Sequence, residues 1–157
     1  EAGDLSAISS ESYDFILASH MLEHTANPLK AVTEWLRVLR KGGTLLIIVP
    51  DPAMTFDHKR SPVTFSHLLE DFQKNVGEDD NTHLEEILVK HDLNIDPPAG
   101  NFESFKKRSE ENSRNRCFHH HVFSEELIKE ILKYFNLEIK DVLTAAPFHI
   151  IALAIKH

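Results

Sequence analysis

Residues 13–52 carry the pattern that most constrains the fold: an apolar run, a polar turn, an amphipathic segment, a glycine pair and a second apolar run. The two apolar runs, Tyr13–Ala18 and Thr44–Val49, have the length and near-continuous hydrophobicity of strands buried on both faces of a parallel sheet. The segment between them has the length of one helical crossover. We therefore predict a parallel strand–helix–strand unit whose two strand tips open onto a shared cleft.

The crossover helix is predicted to begin at Asn27–Pro28, because asparagine caps free backbone N–H groups and proline fits the first helical turn. Its apolar residues recur at helical spacing: Val32, Trp35, Leu36 and Leu39. Gly42–Gly43 is predicted to end the helix in a left-handed turn. Arg40–Lys41 would then lie at the helix carboxyl end, where cations are favourable.

Residues 53–122 are more polar and contain two turn-rich stretches. Helices are predicted over Thr64–Asn75, Thr82–Lys90 and Phe102–Ser109. A stretch of this length between core elements exceeds a plain connection. We therefore predict one domain over residues 1–157, with residues 53–122 as a helical cap over the cleft.

The last part of the chain predicts a helix from Ser124 through Tyr134 and two strands, Leu137–Leu143 and Phe148–Ile155. The short link between these strands implies antiparallel pairing. The predicted fold class is α/β: about four strands, with a parallel pair, a terminal antiparallel hairpin and a helical cap insertion.

Composition excludes several classes of function. The net charge of −8 disfavours a general nucleic-acid binder and a binder of anionic membranes. One cysteine, Cys117, rules out an internal disulfide framework and suits a reducing compartment. The sequence has neither a signal peptide nor an apolar stretch of membrane-spanning length. We predict a cytoplasmic protein without nucleic-acid or membrane partners. Because the sequence starts at Glu1, close to the start of a predicted strand, we also expect a truncated or incompletely recorded protein.

Four motifs carry a family resemblance: SYDFI at 12–16, SHMLEH at 19–24, the Asn27–Pro28 pair and VLRKGG at 38–43. Together with the terminal hairpin, they resemble the small-molecule branch of the class I S-adenosylmethionine-dependent methyltransferases. The proline that this family usually has before its glycine pair is missing, which affects the turn more than the chemistry. The resemblance implies part of a Rossmann-like methyltransferase sheet, S-adenosylmethionine (SAM) as cofactor, and methyl transfer to a small-molecule acceptor.

The resemblance covers the family's fourth to seventh strands, without the glycine-rich cofactor loop that follows its first strand. The five glycines of the chain form no such loop. The resemblance implies cofactor contacts for Glu1 and Ala2, which match an adenine-binding stretch, and for Ser19 and His20 in the turn. We expect the 157-residue chain alone to bind SAM poorly.

Three histidines are candidate catalytic residues. His20 follows a strand tip and titrates near neutrality, which suits a base or a cofactor contact; the alternative is a hydrogen-bonded turn histidine. His119 and His121 are candidate bases, with packed or solvated histidines as the alternative. Glu23 and His24 are expected mainly to shape the turn.

The His119–His121 run also raises the question of a metal. In an extended segment His119 and His121 would share one face. Zinc normally takes a third protein ligand, for which the sequence offers His58, His67, Asp71 and His83. Because nothing in the sequence fixes these in space, we predict no bound metal.

Three residues are candidates for binding the acceptor. Asp51 follows the second strand tip and could orient the acceptor, although a plain turn residue is the slightly favoured interpretation. His58 and Arg60 follow shortly after, and Arg60 could meet an acceptor phosphate or only balance the acidic cap.

Two other functions remain open. An exposed edge at Tyr13–Ala18 could pair two copies into a non-catalytic dimer. A metal-dependent hydrolase could use the histidines. A nicotinamide dehydrogenase is disfavoured because its glycine fingerprint is missing.

Overall fold

The computed structural model describes residues 2–157 and contains one four-stranded sheet in the order β1-β2-β4-β3. The strands are β1 (Tyr13–Ser19), β2 (Leu39–Pro50), β3 (Glu138–Ala145) and β4 (His149–Ile155). β1 runs parallel to β2, whereas β4 pairs antiparallel with both β2 and β3. The predicted α/β class, with its parallel pair and terminal antiparallel hairpin, is confirmed.

Six helices accompany the sheet. They are α1 (Pro28–Val38), α2 (Phe65–Lys74), α3 (Leu84–Lys90), α4 (Phe102–Glu110), α5 (Asn112–Asn115) and α6 (Glu125–Tyr134). Short 3-10 turns occupy Leu22–His24, Pro52–Met54, Leu93–Ile95 and Pro97–Ala99. No helix within residues 2–157 has the length and apolarity needed to cross a membrane.

The boundary between α1 and β2 differs from the prediction. α1 ends at Val38, and Arg40–Lys41 and Gly42–Gly43 lie in a kinked start of β2. The register moves there from Tyr13↔Leu39 to Phe15↔Thr44. Gly42 has φ of 74°, and a Cβ at Gly43 would lie 2.6 Å from the Leu39 side chain, so the kink requires both glycines.

Two cations lie at the α1 carboxyl end: Arg37 of its own last turn and, from the other end of the chain, Lys156. Its Nζ donates to the carbonyl oxygens of Leu36 and Leu39, at 2.8 and 2.7 Å. The backbone N–H of Gly42 donates to the Lys156 oxygen at 2.7 Å. This helix end is set by a contact between residues that are far apart in the sequence. Local glycine signals could not reveal such a contact.

β1 is not buried on both faces as predicted. It lies at a sheet edge, and Tyr13, Phe15 and Leu17 are 48, 50 and 54% exposed. Only Ala18 among its residues is fully buried. Within the described chain, β1 therefore presents an apolar, unpaired edge.

The core lies on one face of the sheet. β2 alternates buried and half-buried residues, and the buried set, including Leu45, Ile47 and Val49, faces the helices. Trp35 of α1, Ile131 of α6 and Leu68 of α2 pack into the same cluster. The first turn of α1 follows the tip of β1, and the last turn of α2 packs against it, since Asn27 Nδ2 donates to the Asp71 oxygen at 3.1 Å.

Residues 53–122 fold into α2 to α5 with the short turns, and their ends meet where the Val63 N–H donates to the Val122 oxygen at 3.0 Å. This segment has a small core of its own, formed by Ile87, Ala99, Phe105 and Phe118. Four buried side chains give little hydrophobic stabilisation, so polar contacts must help to hold the segment in place.

Candidate functional site

The tips of β1 and β2 lie side by side at one edge of the sheet, because Ser19 pairs with Ile48 in parallel register. His20 follows directly, and its backbone N–H donates to the Ile48 oxygen at 2.8 Å. Its φ of 49° is a left-handed conformation that non-glycine residues adopt at a cost. The predicted meeting of the two strand tips is therefore observed, with His20 held in a strained turn.

The His20 ring lies between a carboxylate and a second imidazole. His20 Nε2 is 3.0 Å from His149 Nδ1, and His20 Nδ1 is 3.4 Å from Glu23 Oε1. Burial, with His149 and His119 nearby, lowers the pKa of His20, so its ring is neutral near pH 7. A neutral imidazole next to a carboxylate has the arrangement of a general base.

Glu23 is buried without satisfying its carboxylate. Its side chain is 1% exposed, and neither carboxylate oxygen makes a hydrogen bond to any described residue. Burial raises the pKa of Glu23 from 4.5 to about 7. A buried acid that is left unpaired in this way marks a functional site more often than a purely structural one.

His119 approaches the same region from residues 53–122. Its Nδ1 is 2.5 Å from Asp57 Oδ2, and its ring makes an edge contact with His24 at 4.7 Å between centroids. Burial and the neighbouring His119 lower the pKa of His24 to about 4. Burial alone would raise the pKa of Asp57, but the hydrogen bond and charge of His119, together with Arg60, lower it. Asp57 therefore stays ionised and orients the His119 ring.

These groups open onto a cleft of about 530 Å³, which we call the tip cleft. Its lining comes from the strand tips, the hairpin and residues 53–122: His20, Pro50, Met54, Thr55, Phe56, Ile95, Asp96, Pro98, His119 and Phe148. Mostly apolar walls with two imidazoles suit a small organic molecule.

His121 lies outside the tip cleft. It is 1% exposed, with Nδ1 3.2 Å from the Thr25 oxygen and Nε2 3.1 Å from Asp71 Oδ2. Residues 117–124 form no regular strand, and His119 and His121 point to different partners. The extended segment in which they would share one face is therefore not formed, and of the two only His119 lines the tip cleft.

The three predicted acceptor-binding residues do not line the tip cleft. Asp51 caps the turn at 52–54 by accepting the Ala53 N–H at 3.0 Å. His58 Nε2 is 2.9 Å from Asp92 Oδ2. The Arg60 side chain is 1% exposed and bound within the protein, a place that does not suit contact with an acceptor.

A second groove, of about 670 Å³, runs beside β1, and we call it the β1 groove. Its lining is largely apolar and includes Ala2, Leu5, Ala18, Met21 and Thr25. Ala2 was predicted to contact a cofactor, whereas Ser19 is exposed outside the groove and Glu1 lies outside the described residues. The groove is open on one side, and residues 2–157 contain no glycine-rich loop.

Sequence reasoning missed the contribution of Glu23, Asp57 and His149. His149 reaches the site because antiparallel pairing places it opposite Pro50, at the tip of β2. The predicted hairpin already implied the position of His149. An antiparallel strand that starts beside the tip of its neighbour places its first residue at that tip. No local pattern reveals Asp57, which depends on the fold of residues 53–122.

The methyltransferase-domain family of sequences matches residues 1–47. No curated protein matches the chain. Three solved structures are similar in fold. A SAM-dependent methyltransferase from Aquifex aeolicus has 14% sequence identity and a TM-score of 0.51, and the match covers 100% of this chain and 52% of that one. Another from Methanosarcina mazei has 18% identity and a TM-score of 0.52, with 99% of this chain and 64% of that one covered, and one from Thermotoga maritima, described as a possible histamine N-methyltransferase, has 16% identity and a TM-score of 0.50, with 99% and 61% covered.

These comparisons establish the fold: the chain has the Rossmann-like fold of the class I SAM-dependent methyltransferases, and its first 47 residues carry their sequence pattern. The chain spans only 52 to 64% of the length of these three structures.

Proposed function

We propose that this chain is the acceptor-binding part of a SAM-dependent methyltransferase domain that acts on a small molecule. The observation that carries the proposal is the tip cleft, in which His20 from a strand tip faces Phe56 and His119 from residues 53–122. In open α/β sheets, ligands bind outside the carboxyl ends of the strands. A volume of about 530 Å³ is within the range of small-molecule sites.

SAM, when bound, supplies an activated methyl group, so the protein must mainly align the acceptor, exclude water and remove a proton. The β1 groove would hold the adenosyl part against Ala2, Leu5 and Met21. The polar contacts to the methionine group would come from the family's first strands. The unpaired edge of β1 is where those strands would join the sheet.

His20 Nε2 takes the proton from an acceptor hydroxyl or ammonium group that replaces His149 Nδ1 as its hydrogen-bond partner. Its lowered pKa keeps the ring neutral before the acceptor binds. Glu23, 3.4 Å from Nδ1, stabilises the imidazolium once it forms, and His149 Nδ1 accepts the proton from Nε2 after the methylated product leaves. His119 orients the acceptor from the opposite wall, fixed in turn by Asp57.

The test uses the full-length protein that contains this chain, assayed for production of S-adenosylhomocysteine with sets of small hydroxyl and amine acceptors. The His20→Ala variant is expected to lower kcat by about 100-fold, with SAM affinity little changed, because the ring handles a proton rather than the cofactor. Added imidazole should restore part of the rate. His157→Ala, at an exposed residue, is the control and should keep full activity.

The isolated 157-residue chain is a second control. We expect calorimetry to detect only weak SAM binding, since the chain offers one wall of the cofactor site. Unchanged turnover in the His20→Ala variant would refute the role of His20. Tight SAM binding by the isolated chain would refute the proposal that this chain offers only one wall of the cofactor site.

The exposed face of β1 favours one further candidate, a symmetric dimer of this chain paired edge to edge through Tyr13–Ala18. Sedimentation equilibrium should then show a dimer that Leu17→Lys converts to a monomer, because lysine on an edge opposes strand pairing. Leu143→Lys, on the opposite edge strand and 40% exposed, should leave the dimer intact. A monomer at all concentrations would exclude this candidate.

We also propose that the protein is cytoplasmic and has no nucleic-acid or membrane partners. The net charge of −8 supports the absence of such partners, and the free Cys117 supports the cytoplasmic location.

A further inference from the structure

Outside the tip cleft, four side chains with metal-binding atoms converge in residues 53–122. His67 and Asp71 lie one turn apart on α2, His83 directly precedes α3, and His121 lies in the irregular segment before α6. Their ligand atoms all lie within 4.8 Å of one another. We call these four residues the histidine–aspartate cluster.

Three distances in the cluster match the edges of a metal coordination shell. His67 Nε2 is 3.1 Å from His83 Nε2 and 3.3 Å from Asp71 Oδ2, and His121 Nε2 is 3.1 Å from Asp71 Oδ2. A tetrahedral zinc ion with bonds of about 2.0–2.1 Å separates its ligand atoms by about 3.3 Å. Three of the six edges of such a tetrahedron therefore have about the expected length, and the ligand atoms of all four residues lie within 4.8 Å of one another.

The tautomer of His121 is the second line of evidence. Its Nδ1 faces the Thr25 oxygen at 3.2 Å, so Nδ1 carries the proton and donates it. In a neutral ring, Nε2 then has only a lone pair, and this lone pair faces the Asp71 carboxylate. Two acceptors that face each other at this distance need either a proton or a metal ion to join them.

Burial keeps this pair away from water. The His121 side chain is 1% exposed and the Asp71 side chain is 13% exposed. A metal ion that takes both lone pairs would satisfy the two groups together, because neutral imidazole and carboxylate are the forms that bind metal.

We propose that His67, Asp71, His83 and His121 bind one zinc ion as a structural, tetrahedral site. Three imidazole nitrogens and one carboxylate oxygen form a donor set that zinc accepts, and four protein ligands leave no open position for catalysis. The Thr25 oxygen acts as the outer partner that fixes a liganding histidine. His67 is 34% exposed, which gives the ion a path from solvent.

The site would connect the small core of residues 53–122 to the main core. It ties the start of α3, whose Ile87 lies in the small core, to α2 and to the segment before α6, whose Leu68 and Phe123 lie in the main core. Small cores of this kind are often supplemented by a metal. The inference is independent of methyl transfer, because none of the four ligands lines the tip cleft.

The test measures zinc in the chain produced without a histidine tag. We expect about one zinc ion per chain by elemental analysis and a Kd below about 0.1 µM in competition with a chelating dye. Chelation should lower the unfolding temperature, and zinc should restore it. Cobalt in place of zinc should give the visible absorption of a tetrahedral site.

His67→Gln and His83→Gln, at partly exposed positions, should weaken zinc binding by about 100-fold or more while the chain stays folded. The matched control is His91→Asn, because His91 is a buried histidine that also pairs with an aspartate, Asp96, at 3.0 Å. It should keep full zinc affinity. No zinc and a Kd above about 10 µM, or equal loss in the control, would overturn the site.

Discussion

Replacing Arg60 with alanine is expected to lower the free energy of unfolding by about 3–5 kcal/mol, the range measured when one partner of a buried ion pair is removed. The Arg60 side chain is 1% exposed. Its guanidinium donates to Asp57 Oδ1 at 3.0 Å and to the His119 and His120 oxygens at 2.9 and 3.1 Å. Alanine would leave a buried carboxylate and two buried carbonyl groups without these donors.

Replacing Arg60 should displace His119 as well as lower the free energy of unfolding. Asp57 holds the His119 ring and Arg60 holds its carbonyl, so both contacts weaken together. Lysine at this position should recover only part of the loss, because an ammonium group cannot reproduce the planar fork of a guanidinium.

Urea unfolding, followed by the fluorescence of the buried Trp35, measures the effect. Arg40→Ala is the matched control: Arg40 also pairs with an aspartate, Asp14, but the two side chains are 49 and 81% exposed. That variant should change stability by less than about 1 kcal/mol. If Arg60→Ala lowers the free energy of unfolding by no more than Arg40→Ala does, the buried network does not stabilise residues 53–122.

Local sequence signals were sufficient for most of the secondary structure and for the parallel pair with its hairpin. α2 and α6 end within one or two residues of their predicted limits, since capping and helical periodicity are short-range properties. The start of β2 was missed because Lys156 ends α1 from a position distant in sequence. The exposure of β1 also depends on the rest of the sheet, which no local pattern describes.

The candidate site was predictable where position along a strand decides the outcome, as at His20. It was not predictable where side chains meet through the fold of residues 53–122. Asp57 and His119 are brought together by a loop whose path the sequence leaves open. The same limit hid the convergence of His67 and His83, although both were named as possible ligands.

Replacing Glu23 with glutamine is expected to stabilise the protein by about 3 kcal/mol at about pH 8 and to have little effect at about pH 4. The folded protein raises the pKa of Glu23 from 4.5 to about 7. Between these values the folded chain keeps a proton that the unfolded chain has lost. Wild-type stability therefore falls as the pH rises through this window, and the full cost persists above it.

Glutamine removes the loss of stability that comes from ionising buried Glu23, because glutamine is uncharged at every pH and has nearly the same shape. The measurement is the difference in unfolding free energy between wild type and Glu23→Gln across the pH range, so that the shared titration of other groups cancels. Glu130→Gln, at an exposed position of α6, is the control and should give a flat difference. A flat difference for Glu23→Gln as well would mean that its carboxylate is solvated in the folded protein.

The same substitution should lower methyl transfer in the full-length protein, because glutamine cannot stabilise the His20 imidazolium as a carboxylate does. A variant that is both more stable and less active would show why an unsatisfied carboxylate is retained at this position. Glu23 lies 3.4 Å from His20 Nδ1 and is 1% exposed, so the burial that destabilises the folded chain is the same burial that keeps its pKa near 7. Stability and proton transfer are then opposing consequences of one buried side chain.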